Sequence, residues 1–385
     1  MRVLISSTPG YGHRLPLVGI AQAIRDRGHA VLWATAGDVA PQVTEAGLDA
    51  VAAGKTAADF ALSRQAVRDA MPVLRPEQIG AYVFPRLFGA AMTPAMLDDL
   101  LPVARNWAPD LMIHEQAELA APIVANLLGV PHLTHAFGAV TPAATVAEAS
   151  TMVARLWEEH GREAPAFAGC YQHGYLDIWP SVLGGGPEPQ LGQVRPLRPT
   201  DSSSGEGEWS PPPRWPADDD RPLVYLTMGT VHRASRLLGD LLAGMSDLDI
   251  RILVTVGQHV DPDLFGGASE QVAVEQYVPQ GAVLRTAAAV VCHGGAGTVL
   301  GAAAAGVPMV CLPQAADQFR NSAGVATSGA GLVLHPDQVT ASSVTEAVRA
   351  VLGDPRYRSV ADWVRDQIAA MPSPDEVAGQ LERLA

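Results

Sequence analysis

A chain of 385 residues exceeds one ordinary domain core and fits two. Its composition, 48% hydrophobic and 17% charged, is that of a globular protein, and its formal net charge of −14 repels phosphate backbones and anionic lipid heads, so nucleic acid and membrane insertion are not expected. The three cysteines, Cys170, Cys292 and Cys311, are too few and scattered for a disulfide framework or a zinc cluster, and they indicate a reducing cytoplasm. From Met1 the chain runs straight into a strand pattern without the regions of a signal peptide, and no apolar run reaches the ~18 residues of a membrane span, so no targeting segment is expected.

In chain order, "RVLIS" reads as a strand, "LPLVGIAQAIRDRG" as a helix with Pro16 near its first turn and Gly28 as its stop, and "HAVLWAT" as the next strand. "PDLMIH", "AELAAPIVANLLG" and "VPHLTHA" repeat this unit, the mark of a parallel sheet. Two less regular stretches, about Lys55 to Pro94 and Pro142 to Pro180, read as long insertions, where specificity usually lives. "PTDSSSGEGEWSPPPRWPADDD" has hardly any aliphatic residues and reads as a linker. The alternation then restarts with "PLVYLTMGT", a helix to about Met245, "IRILVTVG", "VAVEQYV", "AAVVCHGG", "VPMVCLP" and "AGLVLHP", and the chain closes on two helices split by Pro372 and Pro374. The expected organisation is an α/β domain over 1–200, a linker over 201–220, a second domain over 221–370, and a C-terminal helix over 371–385 that packs back on the first. Ligands are expected at the carboxyl ends of both sets of strands.

Three segments of the second half converge on one chemistry. His293, Gly294, Gly295, Gly297 and Thr298 form a turn between a strand and a helix beginning near Thr298, where glycines admit close approach and helix amides attract an anion. The turn lacks the Gly-Lys-Ser/Thr of a phosphate loop, and Leu300 stands where a dinucleotide fingerprint needs its third glycine. A close-packed connection explains the glycines equally well; His293, able to donate to a phosphate oxygen, favours a phosphate cradle. Thr230 ends another strand at the same kind of edge, and two such ends can clamp a diphosphate. Asp317, Gln318 and Asn321 gather a carboxylate and two amides at a helix start, either to meet sugar hydroxyls or simply to cap that helix.

In the first half, His13 stands in a Gly-rich loop after the first strand, where it is either a hydrogen-bonded loop histidine or a residue suited to a general base. Glu115 ends another strand at that edge and can hold the far ring nitrogen. His114, His132 and His135 follow strand alternation without zinc-motif spacing and read as core or pocket-lining histidines. Tyr82, Phe84, Phe88, Met92, Phe137 and Trp179 are candidates for an aromatic acceptor pocket.

Together, "STPGYGHRLPL", "YLTMGT", "EQYVPQ", "HGGAGT", "GVP", "DQFRN" and the closing "MPSPDEV" resemble the family 1 glycosyltransferases, most closely the bacterial enzymes that glycosylate antibiotics and other natural products. The resemblance covers nearly the whole chain and implies the GT-B fold, two doubly wound Rossmann-like domains facing across a deep cleft. It implies a nucleotide-sugar donor on the second domain, with dTDP-sugar favoured, and a hydrophobic aglycone on the first. His293, Thr230 and the glycine turn would hold the diphosphate, Val278 and Gln280 the base and ribose, and Asp317, Gln318 and Asn321 the sugar. His13 matches the catalytic base, and Glu115 stands where many relatives have aspartate, one methylene shorter. The implied reaction is inverting and needs neither metal nor bound cofactor; a homodimer is compatible with it. A nucleotide-sugar epimerase of similar fold and a non-catalytic nucleotide-binding relative are the alternatives, the first disfavoured by the apolar insertion around Phe84 to Met96.

Overall fold

The computed structural model describes residues 1–184, 188–200, 209–213, 215–216, 218–228, 234–257, 260–262 and 270–384, without the side chains at 189 and 234–237. The chain divides into two compact units, one made of Met1–Pro180, Gly185–Ser202 and Met371–Ala385, the other of Ser181–Gly184 and Ser203–Ala370. Much of the expected linker, 201–208 with 214 and 217, lies outside the described residues.

The first unit opens with β1 (Arg2–Ser6), α1 (Tyr11–Asp26), β2 (Ala30–Thr35), α2 (Ala40–Glu45) and β3 (Asp49–Ala52). Val3, Leu4 and Ile5 are fully buried, as a continuous apolar run must be when a parallel strand is covered on both faces. Helix α1 begins four residues before the expected Leu15, with Gly10 as its N-cap, so His13 lies in its first turn and not in a loop. Pro16 consequently sits inside the helix.

The stretch expected to be irregular is helical: α3 (Ala57–Asp69), α4 (Pro76–Phe84), a π-helical segment Pro85–Met92, and α5 (Thr93–Trp107). Pro76 sits at a helix start, where a missing N–H is tolerated, while Pro85 and Pro94 stand at the two ends of the π-helical segment. The wide turn at Pro85–Met92 is closed by Thr93, whose hydroxyl donates to the Phe88 carbonyl at 2.7 Å. Pro76–Trp107 forms a continuous helical stretch of 32 residues that contains an 18-residue window of mean hydropathy 1.2, long and apolar enough to cross a membrane, although 50% of that window is buried inside the protein.

The unit continues with β4 (Leu111–Glu115), α6 (Ala120–Leu128), β5 (His132–His135), α7 (Ala143–Glu159), β6 (Tyr175–Asp177) and β7 (Val194–Pro196). The second insertion therefore contains a helix and a strand as well as turns. Seven strands form one parallel sheet in the order β3-β2-β1-β4-β5-β6-β7.

The second unit holds β8 (Leu223–Thr227), α8 (Ala234–Gly244), β9 (Arg251–Thr255), β10 (Val272–Glu275), α9 (Gln280–Leu284), β11 (Ala289–Cys292), α10 (Ala296–Ala304), β12 (Met309–Cys311), α11 (Gln318–Ser328), β13 (Gly331–Val333), α12 (Ala341–Gly353) and α13 (Pro355–Ala369). Its parallel sheet runs β10-β9-β8-β11-β12-β13. Val224, Leu226, Ile252, Val254, Val291 and Val310 from its strands pack with Leu241 from α8, Met245 just after it, and Val344 and Val348 from α12 into one core. The last helix, α14 (Pro374–Leu381), packs on α1 of the first unit, where Arg27 bridges Asp375 at 3.2 Å and Glu382 at 2.8 Å. Because each sheet is wholly parallel, the carboxyl ends of its strands share one edge, which is where the functional side chains collect.

Candidate active site

At the edge of the first sheet, β1 and β4 are neighbours, so the turn after Ser6 lies beside Glu115. Glu115 is fully buried and its Oε1 stands 3.2 Å from Nδ1 of His13, whose side chain keeps 18% of its exposure. The same carboxylate accepts from the Thr8 hydroxyl at 2.8 Å, the Thr8 N–H at 3.3 Å and the Ala117 N–H at 2.5 Å. Burial, the largest influence, pushes the Glu115 carboxyl up; the charge and hydrogen bond of His13, with the Ala117 and Thr8 donors, outweigh it and hold the group below its ordinary value. Glu115 is thus a buried carboxylate ready to accept the Nδ1 proton, which leaves Nε2 of His13 as the ring's lone-pair nitrogen.

The imidazole is walled by aromatic rings. Phe88 lies 5.1 Å away and Phe137 4.7 Å, both tilted, and Phe84 packs on Phe88 at 5.2 Å. Met92 lines a small cavity with Phe88, Met96, Ser7, Thr8, Lys55 and Glu118. Tyr82 is not brought to His13: Arg86 covers its ring at 3.9 Å, and its hydroxyl donates to the Ala70 carbonyl. Trp179 is buried. Gly10 allows the ring its position, since a Cβ there would stand 2.7 Å from His13 Cδ2.

His114, His132 and His135 are buried. His114 bonds the Glu118 carbonyl through Nδ1 at 2.8 Å and Thr134 through Nε2 at 3.0 Å. Burial holds His114 and His135 down at about 4, so both are neutral core rings near pH 7. Among the described residues no group of three or more His, Cys, Asp or Glu side chains is arranged to hold a metal.

Glu118 was not singled out by sequence. It accepts from the Ser6 hydroxyl at 2.5 Å and from the Ala120 and Ala121 N–H groups at the start of α6, at 2.7 and 3.2 Å. Burial outweighs these bonds and pushes its carboxyl up from 4.5 to about 7. With its folded value raised, neutral Glu118 contributes stability that is fully present below the unfolded value and is lost as pH rises through 7, on the order of 3 kcal/mol. The depressed histidines act in the opposite direction, so the variant isolates the carboxyl: relative to the native protein, E118Q is expected to gain unfolding free energy between pH 5 and 8. Identical pH slopes in urea denaturation would refute this.

In the second unit β11 delivers His293 to the corresponding edge. Gly294 follows with φ +80°, where a Cβ would collide with the Ser322 hydroxyl and come within 3.0 Å of the Gln318 carbonyl. Gly295 is the N-cap of α10, which begins at Ala296, two residues earlier than expected; Gly297 and Thr298 therefore lie in its first turn. No side chain caps this turn, and a Cβ on Gly297 would meet nothing within 4 Å. Burial, the largest influence on His293, holds the ring below its ordinary value against the pull of Asp317 and a backbone contact with Thr227, so it is a neutral donor. Thr230 lies outside the described residues.

Asp317 occupies the N-cap of α11 but makes no cap bond; its Oδ2 accepts from Asn321 Nδ2 at 2.9 Å. That nitrogen also donates to the Gly294 carbonyl at 3.0 Å. Gln318 closes its own loop, its Oε1 accepting from the Gln314 and Ala315 N–H groups at 2.8 and 3.0 Å. Ala316, just before Asp317, is held at φ +56°, a strained position for alanine. After β10, Val278 is buried, and Gln280 Nε2 is closed off from solvent with no hydrogen-bond partner. Tyr277, directly before "VPQ", is 59% exposed at this edge.

The chain matches the erythromycin biosynthesis protein CIII-like family along both halves, its N-terminal domain over residues 22–166 and its C-terminal domain over residues 239–384. It is 31% identical to L-demethylnoviosyl transferase of Streptomyces niveus, covering 98% of this chain and 97% of that protein. It is 33% identical to elloramycin glycosyltransferase ElmGT of Streptomyces olivaceus, covering 99% and 97%. Among solved structures, glycosyltransferase VinC in complex with dTDP superposes with a TM-score of 0.82 at 25% identity, over 100% of this chain and 99% of VinC. Glycosyltransferase SnogD of Streptomyces nogalater gives 0.76 at 29% identity, over 100% and 99%. With two parallel-sheet Rossmann-like units and these likenesses along its whole length, the chain belongs to the erythromycin biosynthesis protein CIII-like family and is a glycosyltransferase of the GT-B fold.

Proposed function

We propose that this enzyme moves a sugar, by the family's pattern a deoxysugar, from a thymidine diphosphate donor to a hydroxyl of a hydrophobic natural-product aglycone in antibiotic biosynthesis. In this reading the reaction inverts the anomeric centre and needs no metal. The observation that carries it is the His13–Glu115 pair, a carboxylate-oriented imidazole between two phenylalanine rings. The dTDP bound to VinC and the sugar transfers named for the relatives support the donor class.

Nε2 of His13 takes the proton of the acceptor hydroxyl as that oxygen bonds to the anomeric carbon. The bond from that carbon to the diphosphate oxygen breaks, and the electron pair leaves with dTDP. Glu115 stabilises the imidazolium formed. Phe84, Phe88, Met92 and Phe137 offer an apolar wall for the aglycone. His293, Thr230 and the amides of the Gly294–Thr298 turn receive the leaving diphosphate; neutral donors and a helix N-terminus there do the work a cation does elsewhere. Asp317 and Gln318 meet the sugar, Gln280 the ribose or base, and Tyr277 stacks on the base. The same reading assigns acceptor binding to the first unit and donor binding to the second.

The test is a thermal-shift panel of nucleoside diphosphates, followed by mass spectrometry of aglycones incubated with TDP-sugars, with and without EDTA. TDP at about one hundred times its Kd is expected to add about 2.7 kcal/mol of stability, and EDTA to leave product formation unchanged. Stabilisation by none of the nucleotides would sink the donor assignment, and loss of product with EDTA would sink the metal-free route.

A further inference from the structure

We propose that Asn321 is a positioning residue that ties the diphosphate turn to the sugar-binding carboxylate, and that it does not itself contact the sugar. This rests on the donor-site reading above. Asn321 is fully buried in the first turn of α11. Its amide nitrogen carries two hydrogens, and each has an acceptor: the Gly294 carbonyl at 3.0 Å on the turn after β11, and Asp317 Oδ2 at 2.9 Å on the loop after β12. One side chain therefore spans two segments that approach a nucleotide sugar from different strand ends.

The contacts around it make this link specific. Gly294, at φ +80°, lies so close to Ser322 and the Gln318 carbonyl that a Cβ there would collide with the Ser322 hydroxyl, so the turn packs directly on α11. Asp317 does not spend its carboxylate on capping α11, so the bond from Asn321 orients it. Only a group with two donors on one atom satisfies two oxygen acceptors here; a carboxylate of the same shape would face both acceptors with lone pairs. The amide thus sets the distance between where the diphosphate rests and where the sugar hydroxyls are held. Sugar contact is left to Asp317 and Gln318.

The experiment is calorimetric titration of TDP and of TDP-glucose into the native protein, N321D and N321S, with thermal melts of each. N321D keeps the shape and removes both donors; N321S keeps one shorter donor and serves if N321D does not fold. The folded N321D is expected to bind TDP at least tenfold more weakly and to lose in addition any gain the native protein shows for TDP-glucose over TDP, with N321S between. D317A, by contrast, should lose the sugar gain and keep TDP affinity. A residue that merely supported folding would lower the melting temperature and leave both affinities in place. Affinities for TDP and TDP-glucose within twofold of native in a folded variant would overturn the proposal. Failure of the native protein to bind TDP would instead overturn the donor-site reading itself.

Discussion

H13A is expected to lower kcat by about 10²- to 10⁴-fold, the range a general base contributes, and to leave TDP affinity unchanged. The reason lies in where the ring stands. Its Nδ1 faces the buried Glu115 carboxylate at 3.2 Å, and that carboxylate is itself held by Thr8 and Ala117. The imidazole is therefore oriented before substrate arrives, and little reorganisation is needed at the moment of proton transfer. Steady-state turnover by chromatography, paired with TDP titration, checks both halves of the expectation. Unchanged turnover would remove His13 as the base, and loss of TDP affinity would show that the substitution acts through something other than the base.

H293A is expected to cost a comparable factor through a different step. A single preorganised donor to a developing negative charge is worth about 10²- to 10³-fold in kcat, by analogy with oxyanion holes. Burial holds His293 neutral, so it offers an N–H and not a charge, and its contribution should stay constant from pH 7 to 9. H293Q, which keeps an N–H donor, should retain more activity than H293A. If turnover of H293A matches the native enzyme with a good aglycone, the turn after β11 does not receive the leaving group.

Period and punctuation carried much of the architecture. All six strands of the second sheet are visible as short aliphatic runs ended by Gly, Pro or polar residues, because a parallel strand buried on both faces has little freedom in composition. In the first sheet, β1, β2, β4 and β5 are read in the same way, whereas β3, β6 and β7, with the sequences DAVA, YLD and VRP, offer no aliphatic run to read. The stretch from about Lys55 to Pro94 was read as irregular, yet it is helical: Pro76 stands at a helix start, and Pro85 and Pro94 flank the π-helical segment. A polar, half-exposed helix such as α3, with no buried residue, leaves no apolar stripe to detect.

By itself the sequence determined the fold class, the family and the residue types at each strand end, since these follow from local periodicity and from motifs a few residues long. The tertiary structure decided which of those residues meet. Glu115 reaches His13 because β4 lies beside β1, a pairing between segments more than a hundred residues apart. Tyr82, chosen for its ring, is turned to Arg86 and Ala70. Asn321, grouped with the sugar ligands by its spacing, has its amide nitrogen committed to Gly294 and Asp317. Glu118 became visible only once burial had shifted its carboxyl. Local pattern specifies what a residue can do; burial and the neighbours that folding assembles determine which of its groups remain available to do it.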